Sequence, residues 1–214
     1  MRVLMISDVY FPRVNGVSTS IQTFAREFVD LGHDVTLLAP DYGRAGEPEP
    51  FEVIRLPSRY FLFDPEDRII RWGRIRRHHA RLHAADFDLV HIHTPFIAHY
   101  AGRALARRLG VPALASYHTF FEQYLDKYIP LVPSSWMRYA ARSFSAVSTA
   151  AEVVPTGIDL DKFHRGDGAG FRSRYGIPPE RPMLLYVGRL AFEKNCEFLL
   201  RMLVRVRAAV RDVL

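Results

Sequence analysis

Two cations, Arg189 and Lys194, stand where a predicted strand breaks at Gly188 and a predicted helix begins. The strand is the apolar run 183–187, and the residues after Lys194 place apolar side chains at helical spacing. A helix N-terminus presents free backbone N–H groups, and with two positive side chains beside it the turn can bind a diphosphate. An ordinary strand-loop-helix turn with solvated cations explains the same residues equally well.

A second group of candidates follows the first predicted strand, 3–6. Gly16 has no Cβ, so the backbone N–H groups around it can approach an anion, and Asp8 is placed to accept a hydrogen bond from a hydroxyl. Each has a plainer alternative, Gly16 as a turn glycine and Asp8 as a helix or turn cap. The residues after Gly16 do not continue the Gly-x-Gly-x-x-Gly pattern, which argues against a dehydrogenase.

Histidines are the third group of candidates. His91 and His93 stand two residues apart in the predicted strand 88–94, a spacing that raises the question of a metal site. No thiolate or carboxylate lies at a suitable spacing to complete one, so we expect no metal here. We expect one of the two imidazoles to face a cleft and the other to pack in the core.

These candidates depend on an alternation of strands and helices. Short apolar runs predict strands at 3–6, 34–39, 52–56, 89–92 and 112–116. Periodic segments separate most of these runs, which is the pattern of a parallel sheet wrapped by helices. The clearest helix is predicted from Val17 to Leu31, with Gly32 as its C-cap, so Asn15 and Gly16 lie just ahead of a helix N-terminus.

Composition bounds the class of protein. The chain has 214 residues, a net charge of +6 and a single cysteine, Cys196. We expect a globular protein of one large or two small domains without an internal disulfide, in which Cys196 packs on the buried face of the last predicted helix. No apolar run reaches the length of a membrane span and none forms a signal peptide, so we expect a cytoplasmic protein.

Positive charge is concentrated in residues 68–83, which contain six arginines, three histidines and no carboxylate. The segment predicts a basic amphipathic helix that suits an anionic membrane, although a solvated face explains the same charges. Residues 120–145 mix aromatic residues with cations and suit a bilayer boundary or packing at a domain cleft. The expected membrane contacts are Arg71, Arg74, Arg77 and Trp136. Nucleic acid is not an expected partner because no recognition motif accompanies the arginines.

Three motifs together resemble the retaining nucleotide-sugar glycosyltransferases of family four. They are the run 155–159 (Pro-Thr-Gly-Ile-Asp), the run 188–195 (Gly-Arg-Leu-x-x-x-Lys-Asn) and the run 15–17 (Asn-Gly-Val) after the first strand. The resemblance covers nearly the whole chain and is greatest to bacterial members that glycosylate lipids. It implies an α/β protein of GT-B type that transfers a hexose, mannose or glucose, from a nucleotide diphosphate sugar to a lipid or lipid-linked acceptor.

The resemblance also implies roles for single residues. The donor-binding residues are Gly16, Thr156, Gly157, Gly188, Arg189 and Lys194. The residues expected to face the acceptor are Asp8, Asn15 and Tyr117. His118 matches the family histidine near the transferred sugar, and with Arg189 and Lys194 it forms the expected catalytic set.

The chemistry that this set implies needs no enzyme nucleophile. The leaving phosphate acts as the base on the same face of the sugar, and stabilising its charge is the main catalytic demand. The two cations take the part that Mg²⁺ plays elsewhere, so no metal and no cofactor are expected beyond the donor, GDP-mannose or UDP-glucose. The expected partners are this donor, a lipid acceptor and the inner face of the cell membrane.

The expected domains are a Rossmann-like acceptor-side domain over 1–145 and, over 146–214, a linker and the start of a nucleotide-sugar-binding domain. After residue 145 only two strands, 152–154 and 183–187, and one long helix are predicted, too few to bury both faces of a sheet. The family's pair of glutamates spaced eight apart is also missing. We therefore expect an incomplete chain that exposes apolar surface and does not turn over by itself. The alternative is a non-catalytic domain that binds anionic membrane or nucleotide.

Overall fold

The computed structural model describes residues 1–44, 46–61, 64–118, 152–158, 160, 166–188, 190, 194–210 and 212–214. The chain divides into two compact units, Met1–Ile158 and Asp159–Leu214. The predicted domain boundary at 145 lies outside the described residues. Each unit is therefore described by itself.

Strands and helices alternate along the described chain. The strands are β1 (Arg2–Ile6), β2 (Asp34–Pro40), β3 (Glu52–Leu56), β4 (Ser58–Phe61), β5 (Asp64–Ile70), β6 (Leu89–Ile92) and β7 (Ala113–Ala115). The helices are α1 (Gly16–Asp30), α2 (Trp72–Ile75), α3 (His79–Ala84), α4 (Ile97–Leu109), α5 (Gly168–Arg174) and α6 (Cys196–Ala209).

The first unit is built on a parallel sheet of five strands in the order β3-β2-β1-β6-β7. These are the five strands that the apolar runs predict, so that prediction is confirmed. In the central strand β1 every residue after Arg2 is apolar, because both faces of the strand are covered there. Val3 and Met5 pack in a core that contains residues of α1, whereas Leu4 and Ile6 pack in a second core that contains residues of α4.

Helix α1 begins and ends within one residue of the predicted bounds, and Leu31, not Gly32, is its C-cap. The Asn15 side chain caps its start by accepting a hydrogen bond from the Ser18 backbone N–H at 2.8 Å. After the last helical residue, Gly32 adopts a positive φ of 80°. The His33 N–H then donates to the Phe28 carbonyl at 2.8 Å, which closes the helix and turns the chain into β2.

Helix α4 packs closely on the sheet because Gly102 faces it. A Cβ at this position would lie 2.5 Å from Ile92 Cγ1 and 2.9 Å from Ile6 Cγ2. No real Cβ is accommodated at such distances, so the absence of a side chain sets the spacing between α4 and the strands β1 and β6. This spacing fixes where the first turn of α4 meets the carboxyl edge of the sheet.

The predicted continuous basic helix over 68–83 is wrong. Arg68 lies in β5, which pairs antiparallel with β4, and its guanidinium lies 3.8 Å from the centre of the Tyr60 ring, its cross-strand partner. The rest of the segment forms α2, a 3₁₀ turn at Arg76–His78 and α3. Local charge periodicity is overridden because the hairpin buries Ile70 in the core and the short helices bury Ile75 and Leu82 there.

The second unit differs from its prediction in two respects. Residues 183–187 form no strand, and Val187 is 84% exposed. Helix α6 starts where predicted, but none of its described residues is buried, and Cys196 is only half-buried. The prediction that Cys196 lies on a buried face is therefore wrong, because in the described residues no sheet covers that face. The prediction of exposed apolar surface in this part of the chain is confirmed.

The short run 152–154 is also not a strand, and these residues belong to the first unit. The side chains of Val153 and Val154 are exposed. An apolar run becomes a strand only where a neighbouring strand offers hydrogen bonds, and among the described residues none pairs with this one.

Candidate active site at the carboxyl edge of the sheet

The parallel register brings the candidate residues of three strands together. The His93 backbone N–H donates to the Ile6 carbonyl at 3.0 Å, which places the end of β6 beside the end of β1. The Ser116 N–H donates to the Ile92 carbonyl at 2.8 Å, which places the end of β7 beside β6. The carboxyl edge of a parallel sheet is where ligands bind in open α/β folds. Asp8, His93 and His118 all follow strands at this edge.

Asp8 is turned into the protein, where it caps α4. The residue is 8% exposed. Its carboxylate accepts a hydrogen bond from the Ala98 backbone N–H, at 3.1 Å to one oxygen and 3.0 Å to the other. The Thr94 hydroxyl donates to it at 2.8 Å and itself accepts from the Asp8 N–H at 2.7 Å. This geometry is that of a helix cap, the plainer of the two sequence-based alternatives, and the acceptor-binding role of Asp8 stays a prediction.

Burial decides the electrostatics of Asp8. Desolvation raises its pKa to about 6, against the opposing effect of hydrogen bonds from Ala98 and Thr94. At pH 7 the carboxylate is therefore mostly ionised, and its charge lies at the positive end of the α4 dipole. The hydrogen bonds to Asp8 and the α4 dipole offset part of the cost of burying this charge, but not all of it, since the pKa of Asp8 stays raised.

His91 and His93 are both buried, so the prediction that one of them faces a cleft is wrong. They are 2% and 1% exposed, and their ring centres lie 3.9 Å apart. Residues two apart on a strand share one face, which here is the α1 side of the sheet, where Phe24 contacts His91 edge-on. His91 Nε2 hydrogen-bonds the Ser116 hydroxyl at 2.8 Å.

His118 lies against the buried pair. Its Nε2 is 3.2 Å from His93 Nδ1, and the two rings are nearly parallel with their centres 5.5 Å apart. Burial lowers the pKa of His118 and of His93, and it lowers the pKa of His91 to about 4. All three imidazoles are therefore neutral near pH 7, and the half-buried His118 is a neutral hydrogen-bonding group at the edge of the sheet.

These rings are not arranged as a metal centre. Among the described residues, no three side chains of His, Cys, Asp or Glu are grouped so that they could hold a metal ion. Tyr117, beside His118, is 45% exposed and lies at the surface of the same edge.

Gly16 is the first residue of α1 and is exposed. A Cβ built on it would meet nothing within 4 Å, so the packing of the described protein does not itself require glycine there. Asn15 uses its side chain on the Ser18 N–H and its carbonyl on the Thr19 N–H. The cap is a neutral amide, which leaves the positive end of the α1 dipole without a compensating carboxylate from the cap.

Thr156 and Gly157 lie beside the middle of α1 within the first unit. Thr156 Oγ1 is 3.4 Å from Ser20 Oγ, and a Cβ on Gly157 would stand 3.5 Å from Thr23 Cγ2. The structure thus brings these two predicted donor-binding residues to the helix that carries Gly16. Sequence reasoning assigned them to the second domain, and their role stays a prediction.

The second unit holds the remaining donor-binding candidates. Lys194 is exposed in the turn that precedes α6, and Asn195 caps this helix by accepting from the Phe198 N–H at 3.4 Å. The predicted position of Lys194 at a helix start is confirmed. Gly188 is exposed, and Arg189 lies outside the described residues.

The structure describes three of the four predicted membrane contacts. Arg71 and Arg77 are exposed and Arg74 is half-buried, whereas Trp136 lies outside the described residues. No helix in the described part of the chain combines the length and the apolar character needed to cross a bilayer.

One residue that sequence reasoning missed is Glu49. Its side chain is 5% exposed and accepts hydrogen bonds from the Tyr10 hydroxyl at 2.8 Å, from Gln22 at 2.7 Å and from the Arg26 guanidinium at 3.0 and 3.1 Å. This buried carboxylate ties a loop that composition alone marks as irregular to α1 and to the segment after β1. Thr94 was missed as well, and the only signal was a small polar residue directly after a strand.

The comparisons with known proteins agree with this architecture. Residues 14–162 match the profile of glycosyltransferase family 4. The chain is 30% identical over 229 residues to an alpha-monoglucosyldiacylglycerol synthase of Streptococcus pneumoniae, an alignment that covers 94% of this chain and 51% of that protein. It is 32% identical over 222 residues to a GDP-mannose-dependent alpha-mannosyltransferase of Mycolicibacterium smegmatis, with 92% and 58% covered.

The chain thus spans little more than half the length of these two relatives. Among solved structures, sucrose-phosphate synthase from Thermosynechococcus elongatus superimposes with a TM-score of 0.69 at 18% identity, covering 96% of this chain and 60% of that one. The parallel sheet and its helices have the GT-B fold of such glycosyltransferases. Because the family match extends over more than half of its residues, the chain belongs to glycosyltransferase family 4.

Proposed function

We propose that this chain is the acceptor-side part, with the beginning of the donor-side part, of a retaining hexosyltransferase. It transfers mannose or glucose from a nucleotide diphosphate sugar to a lipid or lipid-linked acceptor. The observation that carries the proposal is the meeting of His118, His93 and Asp8 at the carboxyl edge of the sheet in a family 4 chain. The names of the relatives, an alpha-monoglucosyldiacylglycerol synthase and a GDP-mannose-dependent alpha-mannosyltransferase, support the substrate classes.

In the proposed reaction the bond between C1 of the sugar and the phosphate oxygen breaks, and a bond from the acceptor oxygen to C1 forms on the same face. The acceptor proton passes to the departing phosphate, which is the base. Arg189 and Lys194 stabilise the charge that grows on this phosphate, and the effect is largest in the transition state. The neutral His118 ring hydrogen-bonds a hydroxyl of the sugar. We propose that no metal and no further cofactor take part.

The donor is GDP-mannose or UDP-glucose. The relatives include a mannosyltransferase that depends on GDP-mannose and a synthase of a glucosyl lipid, so we propose both mannose and glucose as candidate sugars. We further propose that the protein works at the inner face of the cell membrane, where the exposed Arg71 and Arg77 lie near anionic lipid.

A second candidate function is binding without turnover. The observation that favours it is the coverage of relatives, 51% and 58%, which leaves much of their length unmatched by this chain. In that case the 214 residues bind anionic membrane or nucleotide through the Gly16 helix start and the basic segment, and catalysis belongs to a longer polypeptide.

The test is a transfer assay on the protein as its natural gene encodes it. Radiolabelled GDP-mannose and UDP-glucose are offered separately with diacylglycerol-containing vesicles, with and without EDTA, and labelled lipid is extracted and counted. We expect one donor to give labelled lipid, with the same yield in EDTA, and His118→Ala to reduce the yield. His33→Ala, which changes an imidazole away from this edge, is the matched control. Absence of labelled lipid with both donors, together with nucleotide binding, would support the second candidate instead.

A further inference from the structure

We infer that His93 is a positioning residue, one that holds the His118 ring in a single orientation and a single tautomer. His118 then presents its Nδ1–H, and not a bare nitrogen, to the place where the proposed function puts the transferred sugar. The inference rests on that function only for the identity of the ligand. Its structural content, the tautomer of His118, can be measured without any substrate.

The position of His93 is fixed from several sides. His93 is 1% exposed, and its backbone N–H donates to the Ile6 carbonyl at 3.0 Å. The His91 ring lies against it with a centre-to-centre distance of 3.9 Å. A ring enclosed in this way has little freedom to turn, so it is a rigid partner for the group that it bonds.

The contact to His118 is a single nitrogen pair. His93 Nδ1 and His118 Nε2 are 3.2 Å apart, which is the distance of an N–H···N hydrogen bond, and the rings are inclined by only 15°. Because the two nitrogens of an imidazole lie on opposite sides of the ring, bonding through Nε2 leaves His118 Nδ1 directed away from His93. His118 is half-buried, and Nδ1 is the ring nitrogen that this hydrogen bond does not use.

The direction of this hydrogen bond follows from the other nitrogen of His93. Both rings are neutral, since burial lowers the pKa of each, so each ring carries one N–H proton. Only one of these two protons lies in the hydrogen bond between the rings. His93 Nε2 is buried, and among the described residues no group hydrogen-bonds it. A buried N–H without an acceptor is rarer and costlier than a buried acceptor without a donor. The proton of His93 is therefore on Nδ1, it is donated to His118 Nε2, and His118 carries its own proton on Nδ1.

This assignment restricts what His118 can do. A Nδ1–H group donates to a hydroxyl oxygen or to a phosphate oxygen of the donor, but it cannot take a proton from the acceptor. The catalytic base must then be another group, in agreement with a reaction in which the leaving phosphate takes that part. His93 exerts this control without touching the ligand.

The test is the tautomer of His118 in the 214-residue chain, read from long-range ¹H–¹⁵N spectra of protein labelled at histidine nitrogens, near pH 7. His118→Gln identifies the signals. We expect a protonated Nδ1 and a bare Nε2 in the unaltered protein. His93→Phe removes the donor, so His118 should revert to the Nε2–H form that neutral histidine side chains favour in water. His93→Asn keeps an N–H at the place of Nδ1 and should retain the original tautomer.

The matched control is His33→Asn, because His33 is a half-buried histidine of the same unit that lies at the other end of the sheet, where its Nδ1 is 3.3 Å from the Met1 amine. It should leave the His118 signals unchanged, and circular dichroism verifies that each variant is folded. A protonated Nε2 on His118 in the unaltered protein, or no change in His93→Phe, would overturn the inference.

Transfer activity gives a second readout on the natural gene product. We expect His93→Phe to lower kcat about 10-fold with little change in the donor KM, and His93→Asn to restore most of it. Unchanged kcat in a His93→Phe protein whose tautomer has switched would refute the positioning role while leaving the proposed function intact. No transfer by any form, including the unaltered one, would refute the proposed function and leave the tautomer result to decide the inference.

Discussion

Helices α1 and α6 share an asparagine cap and an amphipathic pattern, but they differ in how much of their apolar face is buried. Each begins after an asparagine cap and carries apolar residues along one face. Helix α1 buries Ile21 and Ala25 completely, whereas no described residue of α6 is buried. The periodicity of α6 still identifies its less exposed face, since Cys196, Leu199 and Leu203 are half-buried and Leu200 is exposed. Amphipathicity therefore determines which face can be buried, and a neighbouring sheet determines whether it is.

The largest effect that we predict concerns Lys194, an exposed residue of the second unit. Lys194→Ala should slow transfer by about 10²–10³, equivalent to roughly 2.7–4 kcal/mol, because its contribution grows with the charge of the leaving phosphate. Nucleotide release at saturating acceptor measures it. Stability should not change, because Lys194 is exposed. The control is Arg205→Ala, another exposed cation of this unit, which should be neutral. Turnover of Lys194→Ala within a few-fold of the unaltered protein would show that the phosphates bind elsewhere.

A matched pair of truncations tests the comparison of the helices directly. Ile21→Ala in α1 should reduce the free energy of unfolding by about 3 kcal/mol, because it leaves a cavity in a closed core. Leu199→Ala in α6 should cost less than about 1 kcal/mol, because its side chain already contacts water. Urea unfolding followed by circular dichroism measures both. Equal losses would mean that α6 is covered in solution.

The buried histidines should make the first unit sensitive to acid. A histidine whose folded pKa lies below 6.5 is protonated more readily in the unfolded chain, so stability falls as pH falls from 6.5 toward 4. For His91, with a pKa of about 4, the full loss is roughly 3 kcal/mol. Asp8 acts in the opposite direction, because its raised pKa of about 6 makes its contribution fall as pH rises from 3.8 to 6. Three imidazoles outweigh one carboxyl, so the net change on acidification is a loss.

Urea midpoints between pH 4 and 7 measure this pH dependence. His91→Asn should flatten the profile, because the variant has one fewer group to protonate on unfolding. Asp8→Asn should steepen it, because the opposing contribution disappears. A profile that His91→Asn leaves unaltered would show that this ring is not held neutral in the folded protein.

The effect that we expect to be smallest at physiological salt concerns membrane attachment. Each cation near an anionic surface contributes about 1 kcal/mol, so replacing Arg71, Arg74 and Arg77 by glutamine should weaken sedimentation with anionic vesicles at low salt. The effect should shrink as salt screens the charges. Replacing Arg205 and Arg207 of α6 by glutamine is the control from the other unit. Binding that is reduced equally by both sets would indicate general charge attraction and not a surface of the first unit.

The strands and α1 were predictable because their signals are local. Two such signals are an apolar run bounded by turn residues and an asparagine three residues before a free backbone N–H. Both consist of residues that are close together in the sequence. The hairpin of β4 and β5 was not predictable in this way, since the pairing of Arg68 with Tyr60 competes with a helical pattern that is also present. Which of the two wins is decided by the burial of Ile70.

The candidate site was predictable in its parts but not in its connections. His118 and Asp8 could be named from their positions after strands. The contact between His93 and His118 joins residues 25 positions apart, and no feature of the sequence gives their distance. The same holds for Glu49, whose partners come from two other segments. Contacts of this kind follow from register and packing, which exist only once the sheet has formed.

Asp8 also has a consequence for where an anion can be received. Strands β1 and β6 are neighbours, and each leads to a helix whose N-terminus lies at the same edge. At α4 that terminus already holds the Asp8 carboxylate, which is mostly ionised at pH 7 and repels any incoming phosphate. At α1 the cap is the uncharged Asn15. One of two adjacent helix N-termini thus carries an internal carboxylate, whereas the other has an uncharged cap, so the two differ in the charge that they present at the same edge of the sheet.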